Sequence, residues 1–174
     1  MQTGDWEQRV AALWATIDEH DEVEFLTLVE KLVEELPPDA PEGYFERACA
    51  LDSTGHSDLA VPLYRQALEG GVTGERRRRS VIQMASSLRN LDRSQESVAL
   101  LTEELEQPSD HLDDAATAVL ALALTDVGRE REAVSLAVGA LAAHLPRYQR
   151  SMANYARLLV EPDPAANPEA NVHD

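Results

Sequence analysis

The residues best suited to binding an anion lie in one short stretch of this sequence. Arginine holds a carboxylate or phosphate through two parallel hydrogen bonds, and asparagine or glutamine can pair with peptide groups. Successive residues point in different directions around a helix, so a run of four arginines cannot serve a single contact. The four arginines also lie at the N-terminus of a predicted helix, where the helix dipole disfavours positive charge. The stretch contains Arg76, Arg77, Arg78, Arg79, Gln83, Ser86, Arg89 and Asn90.

The sequence contains no combination of residues that predicts a catalytic site or a metal-binding site. No two of the five histidines share a helix face at the spacing of metal ligands. The glycine-rich segment 70–74 lacks the lysine and the preceding strand of a phosphate-binding loop, and no Gly-x-Ser-x-Gly is present. Cys49 is best interpreted as a small, partly buried filler residue on its helix. We therefore expect no catalysis, no cofactor and no metal ion.

The charge of the chain limits its partners. Its net charge is −17, which argues against general binding of nucleic acid or of an anionic membrane. Residues 1–69 are strongly acidic, whereas residues 75–93 are basic. A single cysteine excludes an internal disulfide, the acidic N-terminus does not resemble a signal peptide, and no apolar run reaches membrane-spanning length. The sequence therefore predicts a cytoplasmic protein.

A spaced pattern of small and leucine residues occurs three times. Its turn residues are Gly55, Asp92 and Gly128, which lie 37 and 36 residues apart. A period of this size indicates stacked supersecondary units. Two helices pack closely only where small side chains meet. The predicted contacts within the three pairs are Ala48 with Ala60, Ala85 with Ser97, and Ala121 with Ala133.

The pattern resembles the tetratricopeptide repeat. With Pro41 at position 1, small, leucine and aromatic residues stand in the family's places: Tyr44, Ala48, Leu51, Ala60, Tyr64 and Ala67. The resemblance covers roughly residues 41–146. The stretch 60–92 is similar to a group of small bacterial tetratricopeptide proteins of unassigned function. The resemblance implies a fold and a binding scaffold, and it carries no activity with it.

The predicted fold is all-α, a right-handed superhelical stack of antiparallel helix pairs (an α-solenoid) with about nine helices. A single domain over residues 1–160 is expected to consist of a divergent N-terminal pair, three repeats and a capping helix: 1–40, 41–73, 74–109, 110–146 and 147–160. The proline-containing segment 161–174 is predicted to be disordered. Helices are predicted at 5–19, 21–35, 42–53, 57–69, 75–91, 94–106, 110–127, 130–144 and 147–160.

Two of these helices carry apolar stripes that we expect to face inward. In the first helix the stripe contains Trp6 and Trp14, which we interpret as core residues. The last helix is expected to close the open end of the stack. Its predicted inward residues are Tyr148, Met152, Tyr155, Ala156 and Leu159.

The resemblance also implies a place for the binding site, because ligands of such arrays usually lie in a concave groove lined by the first helix of each repeat. The basic stretch supplies that helix for the second repeat. Phe45 and Cys49 stand where a known clamp for C-terminal carboxylates has Lys and Asn, so that particular ligand is not implied. The predicted peptide-binding residues are Arg79, Gln83, Ser86, Arg89 and Asn90, with Arg147 and Arg150 as a second basic wall.

The sequence also allows two alternatives to an acidic or C-terminal peptide ligand. Arg76–Arg79 can instead pair within the chain, with the acidic first two helices or with Glu69. The acidic N-terminal half and the basic centre can also dock between copies, which would give a homo-oligomer without a peptide ligand.

Overall fold

The computed structural model describes residues 3–161, and this part of the chain contains nine α-helices, one 3₁₀ turn at 17–19 and no strand. The prediction of an all-α protein with about nine helices is therefore confirmed for these residues. The predicted disordered tail lies, from residue 162 onward, outside them. The helices are α1 Thr3–Trp14, α2 Glu22–Val33, α3 Pro41–Ser53, α4 Ser57–Glu69, α5 Gly74–Asn90, α6 Ser94–Glu104, α7 Asp113–Asp126, α8 Glu130–Ala142 and α9 Gln149–Leu158.

The helices belong to two compact units that divide after Leu100, within α6. In the first unit α2 packs on α1 and on α3, while α5 packs on both members of the α3–α4 pair. In the second unit α8 packs between α7 and α9. Neighbouring helices in the chain are thus neighbours in space within each unit, as expected for helix-pair repeats.

All three predicted turn residues adopt the left-handed backbone conformation. Their φ angles are +90° at Gly55, +58° at Asp92 and +75° at Gly128. A helix that ends in this way satisfies its last carbonyl groups by bonding them to the N–H groups of the turn. The leucine of each repeat supplies the accepting carbonyl, at 2.8–2.9 Å: His56 N–H to Leu51, Arg93 N–H to Leu88 and Arg129 N–H to Leu124.

The first helix ends earlier than predicted. α1 stops at Trp14, and residues 17–19 form a separate 3₁₀ turn. The Thr16 hydroxyl donates to the Leu13 carbonyl at 3.0 Å. Threonine side chains that bond to the preceding turn in this way compete with helical backbone bonds. The prediction of one continuous helix over 5–19 is therefore wrong at its C-terminal end.

Small residues occupy the centre of the first unit, as the repeat pattern predicts. Ala48, Ala60 and Ala85 have no exposed surface. Tyr64 and Leu88 are also fully buried and belong to the same cluster as the two α3–α4 alanines. Pro62 lies inside α4 and does not interrupt it.

The last helix does not turn its aromatic residues inward. Tyr148 is 73% exposed and Tyr155 is 61% exposed, which contradicts their predicted burial. α9 instead lies on α8 through the buried Ala156, whose carbonyl accepts a 2.7 Å hydrogen bond from Ser135 Oγ. The two tyrosines are rotated away from this contact on the helix surface, so α8 does not cover them.

The left-handed turns give opposite predictions for two substitutions. Gly55→Ala should lower the free energy of unfolding by roughly 1 kcal/mol, because an added Cβ is strained at positive φ although it meets no atom within 4 Å. Asp92→Gly should raise it by up to about 1 kcal/mol for the converse reason. Urea unfolding followed by circular dichroism measures both. Equal effects of the two substitutions would contradict this interpretation.

Candidate binding cleft

A cleft of ≈ 580 Å³ opens in the first unit between α1, α3 and the start of α5. One wall is apolar and comes from α1, while the α5 side is charged. Its lining residues are Glu7, Val10, Ala11, Trp14, Glu46, Thr73, Glu75, Arg76 and Arg79.

Arg76 joins the three helices that form this cleft. Its guanidinium donates to both carboxylate oxygens of Glu7, at 2.9 and 2.6 Å, and to Glu46 Oε1 at 3.1 and 3.2 Å. Its Cζ also lies 5.5 Å from the centre of the Trp6 ring. Burial disfavours the charge, but the bonds to the two carboxylates outweigh it and raise the pKa of Arg76. One arginine of the run is thus paired within the chain, partly with the acidic first helix.

Glu46 is held from a second side by the first helix. It is only 3% exposed, and its Oε2 accepts a 2.8 Å hydrogen bond from Trp14 Nε1. Trp6 is buried and donates to the Leu32 carbonyl at 2.8 Å. Trp6 is therefore the core residue that the sequence predicts, whereas the half-buried Trp14 lines the cleft as well.

Arg79 lies one helical turn from Arg76 at the border of the cleft, and its environment is different. Its guanidinium stacks over Phe45, with Cζ 5.1 Å from the ring centre. Among the described residues, no carboxylate lies within ion-pairing distance of it. A stacked arginine keeps its in-plane N–H donors available to a planar acceptor. Arg79 is thus a half-buried cation that stacks on an aromatic ring and has no carboxylate partner in the described part of the chain.

Gln83 lies one helical turn beyond Arg79 on α5 and contacts α3. Its Oε1 accepts a hydrogen bond from the Cys49 thiol at 3.4 Å. The amide N–H groups of Gln83 do not take part in this bond. Burial, reinforced by the negative charge of Glu46, raises the pKa of Cys49 to about 12. The thiol is therefore a core residue with little thiolate character at neutral pH, in agreement with its interpretation from the sequence.

The end of α5 is occupied by a buried polar network. Ser87 Oγ donates to Asp52 Oδ1 at 2.6 Å, and the Tyr64 hydroxyl donates to Oδ2 at 3.4 Å. Burial raises the pKa of Asp52, and these hydrogen bonds oppose the shift. The Asn90 amide donates to Ser57 Oγ at 3.1 Å. Asn90 is thus already engaged with its own chain.

The structure separates some of the residues that the sequence groups together. Arg79 and Asn90 are eleven residues apart on α5, which corresponds to about 16 Å along the helix axis. Only Arg79 among the predicted binding residues lines the cleft. Gln83, Ser86 and Arg89 are half-buried further along α5. Arg147 and Arg150 are exposed and belong to the second unit.

Sequence reasoning missed the contribution of the first helix to this cleft. Glu7, Val10, Ala11 and Trp14 lie more than sixty residues before Arg76 in the chain. The opposite charges of the two segments allowed an ion pair between them, but the tryptophan stripe of the first helix was interpreted as core, so no cleft was predicted there. Within residues 3–161, no group of side chains is suited to hold a metal ion, and no helix is long and apolar enough to cross a membrane.

Comparison with known families finds a match for the repeat-containing part of the chain. The family model described as Tetratrico peptide repeat matches residues 41–159, which is more than half of the chain. Comparisons with curated proteins and with solved structures find no match.

The Arg76 network predicts a stability effect. Arg76→Met should lower the free energy of unfolding by about 3 kcal/mol, because it leaves the buried Glu46 carboxylate without its cation. Arg93→Met, which removes an exposed partner of Glu96, should change it by less than about 1 kcal/mol. Urea unfolding compares the two variants. If adding Glu46→Gln restores none of the stability lost in Arg76→Met, the buried charge is not the cause.

The raised pKa of Cys49 predicts slow alkylation. The folded-state pKa is above the ordinary value, so the thiolate is scarce in the native protein until the pH approaches 12. At pH 8 the native protein should react with iodoacetamide at least ~10³-fold more slowly than the urea-unfolded chain. Mass spectrometry of quenched samples gives both rates. A native rate within tenfold of the unfolded one would contradict the assigned burial.

Proposed function

Since the chain belongs to the tetratricopeptide repeat family, we propose that it is a non-catalytic protein-interaction module that binds a peptide segment in the cleft of its first unit. The observation that carries this proposal is Arg79, a stacked cation without a carboxylate partner among the described residues, at the border of a cleft. The family supports protein binding in general. The identity of the ligand follows from the chemistry of the cleft.

The cleft favours a ligand with one carboxylate rather than a long acidic run. Arg76 is neutralised by Glu7 and Glu46, so Arg79 is the cation left to receive a negative group. Additional negative charge on the ligand would meet Glu7, Glu46 and Glu75, which also line the cleft. Like charges at short range disfavour binding. A single Asp or Glu side chain, or a C-terminal carboxylate, satisfies these conditions.

The apolar wall of the cleft favours an apolar side chain next to the carboxylate of the ligand. Val10, Ala11 and Trp14 face the same cleft as Arg79. An aliphatic or aromatic side chain next to the carboxylate could lose water against this wall while the carboxylate pairs with Arg79. We therefore propose an extended segment in which an acidic residue neighbours an apolar one.

The other predicted peptide-binding residues of α5 would contact the backbone of the ligand. Gln83 and Ser86 lie beyond Arg79 on α5, and Arg89 follows one turn later. The ~16 Å from Arg79 to the end of α5 matches about five residues of extended chain at 3.3 Å per residue. Arg147 and Arg150 are not required for this mode of binding.

A charge reversal in the cleft tests the proposal. Peptides selected from a random displayed library on the wild-type protein should share an acidic residue beside an apolar one. Arg79→Glu should weaken their binding at least tenfold, a loss of about 1.4 kcal/mol or more, because the carboxylate then faces a like charge. Isothermal titration calorimetry measures the affinities, and circular dichroism checks that helicity is unchanged.

The matched control is Arg93→Glu, which makes the same charge change at an exposed position after α5. It should leave the affinities unchanged. Peptides that bind wild type and Arg79→Glu equally well would exclude this cleft as the site, even if they bind tightly.

The alternative of docking between copies through the basic centre has less support. Arg76 is held by carboxylates of its own chain, and Arg78 is only 4% exposed. These side chains have little surface to offer a second molecule. A homo-oligomer would need a different basic surface.

A further inference from the structure

The outer side of α9 is unusual in being both apolar and basic. Tyr148, Tyr155 and Leu158 are 73%, 61% and 51% exposed, so three large apolar side chains remain in water on one short helix and the residue before it. Residues 147–160 contain three arginines and no acidic residue, in a chain with a net charge of −17. An exposed apolar patch rimmed by charge is typical of an interaction surface.

Two of the three arginines of this segment form no ion pair with the residues that the structure describes. Arg147 and Arg150 are exposed and have no ion-pair partner within the described part of the chain. Arg157, by contrast, pairs with Glu161. α8 contacts α9 on its Ala156 side, whereas Arg150, Tyr155 and Leu158 elsewhere on the helix are exposed. We call the surface formed by Arg147, Arg150, Tyr155 and Leu158 the basic face.

The first unit contains a surface with the opposite character. His56 Nε2 and Glu22 Oε1 lie 2.6 Å apart, which brings the start of α2 beside the start of α4. Val23 and Leu59, in the first turns of these two helices, are 73% and 53% exposed. Glu22 and Glu24 flank Val23 in the chain, and Asp58 precedes Leu59; all three acidic residues are exposed. We call the surface formed by Glu22, Val23, Glu24, Asp58 and Leu59 the acidic edge.

We propose that the basic face of one copy docks on the acidic edge of a second copy. Each surface has exposed apolar groups that would lose water on contact, and the surrounding charges are opposite in sign. Since the two surfaces are different, the contact is heterologous and leaves one surface of each kind unused on every pair. Association therefore continues head to tail, into a ring or an open chain of copies. This interface shares no residue with the cleft.

Sedimentation velocity on the full chain tests the interface. The average mass of the wild-type protein should increase with concentration and decrease on addition of salt, because salt screens exposed charges. Two double variants each remove one surface. Arg150→Glu with Tyr155→Ser disables the basic face, and Val23→Lys with Leu59→Lys disables the acidic edge. Each variant alone should sediment as a monomer.

Mixing the two variants gives the decisive result. A variant without the basic face still has an acidic edge, and the other variant still has a basic face. An equimolar mixture should therefore form a dimer that does not grow further, because one intact junction remains. A symmetric interface in which both copies use the same surface would instead let the variant that keeps this surface associate on its own. That result, or a mixture that stays monomeric, would overturn the proposal.

Controls separate this interface from general charge effects and from misfolding. Arg93→Glu changes the charge by the same amount as Arg150→Glu at another exposed site, and it should associate as the wild type does. Circular dichroism and thermal unfolding should be unchanged in every variant, since all substituted side chains are exposed. A wild-type protein that stays monomeric at all concentrations, or double variants that still associate, would also overturn the proposal. Neither result would affect the cleft proposal.

Discussion

The half-buried charge of Arg76, held between two carboxylates and the rings of Trp6 and Phe45, is the interaction on which the first unit depends. It connects α5 to Glu7 of α1, 69 residues away in the chain, and to Glu46 of α3. A charge in such a position is tolerated only when its partners neutralise it and satisfy its donors. The same requirement brings α1 against α3 and α5 and so creates the cleft. It also distinguishes Arg79, one turn further on, as the arginine whose charge has no carboxylate partner among the described residues.

The leucine of each repeat has two roles, one for its side chain and one for its backbone carbonyl. The sequence pattern does not distinguish between them. Leu51, Leu88 and Leu124 pack in the core or at its border, and their carbonyls accept the bond that closes the following left-handed turn. The distance from leucine to turn residue is therefore set by the geometry of a helix end. This explains why Asp92 can replace glycine at the second turn, since aspartate tolerates positive φ better than most residues. The repeat is preserved by backbone geometry even where the side chain differs.

Features that depend on neighbouring residues could be predicted from the sequence. Helix ends at Gly55 and Gly128, the burial of Ala48 and Ala60, and the inert nature of Cys49 all follow from local spacing and residue type. Pairing of the arginine run with the acidic first helices was one of the alternatives that the sequence offered. The cleft itself could not be predicted, because the choice of Glu7 and Arg76 depends on how distant helices approach. The exposure of Tyr148 and Tyr155 was also missed. An apolar stripe indicates that a helix has a face to bury, but it does not indicate whether a partner within the chain covers that face.

The burial of Cys49 has a practical consequence for spectroscopy. Because its only cysteine lies inside the core, the folded chain should serve as a background with little native thiol reactivity for site-directed labelling. A cysteine introduced at an exposed position of α2 and another on α9 would carry spin labels or fluorophores without removal of the native thiol. Distances between such probes would report how the two compact units are arranged in solution, with the packing around Phe45 and Tyr64 left undisturbed.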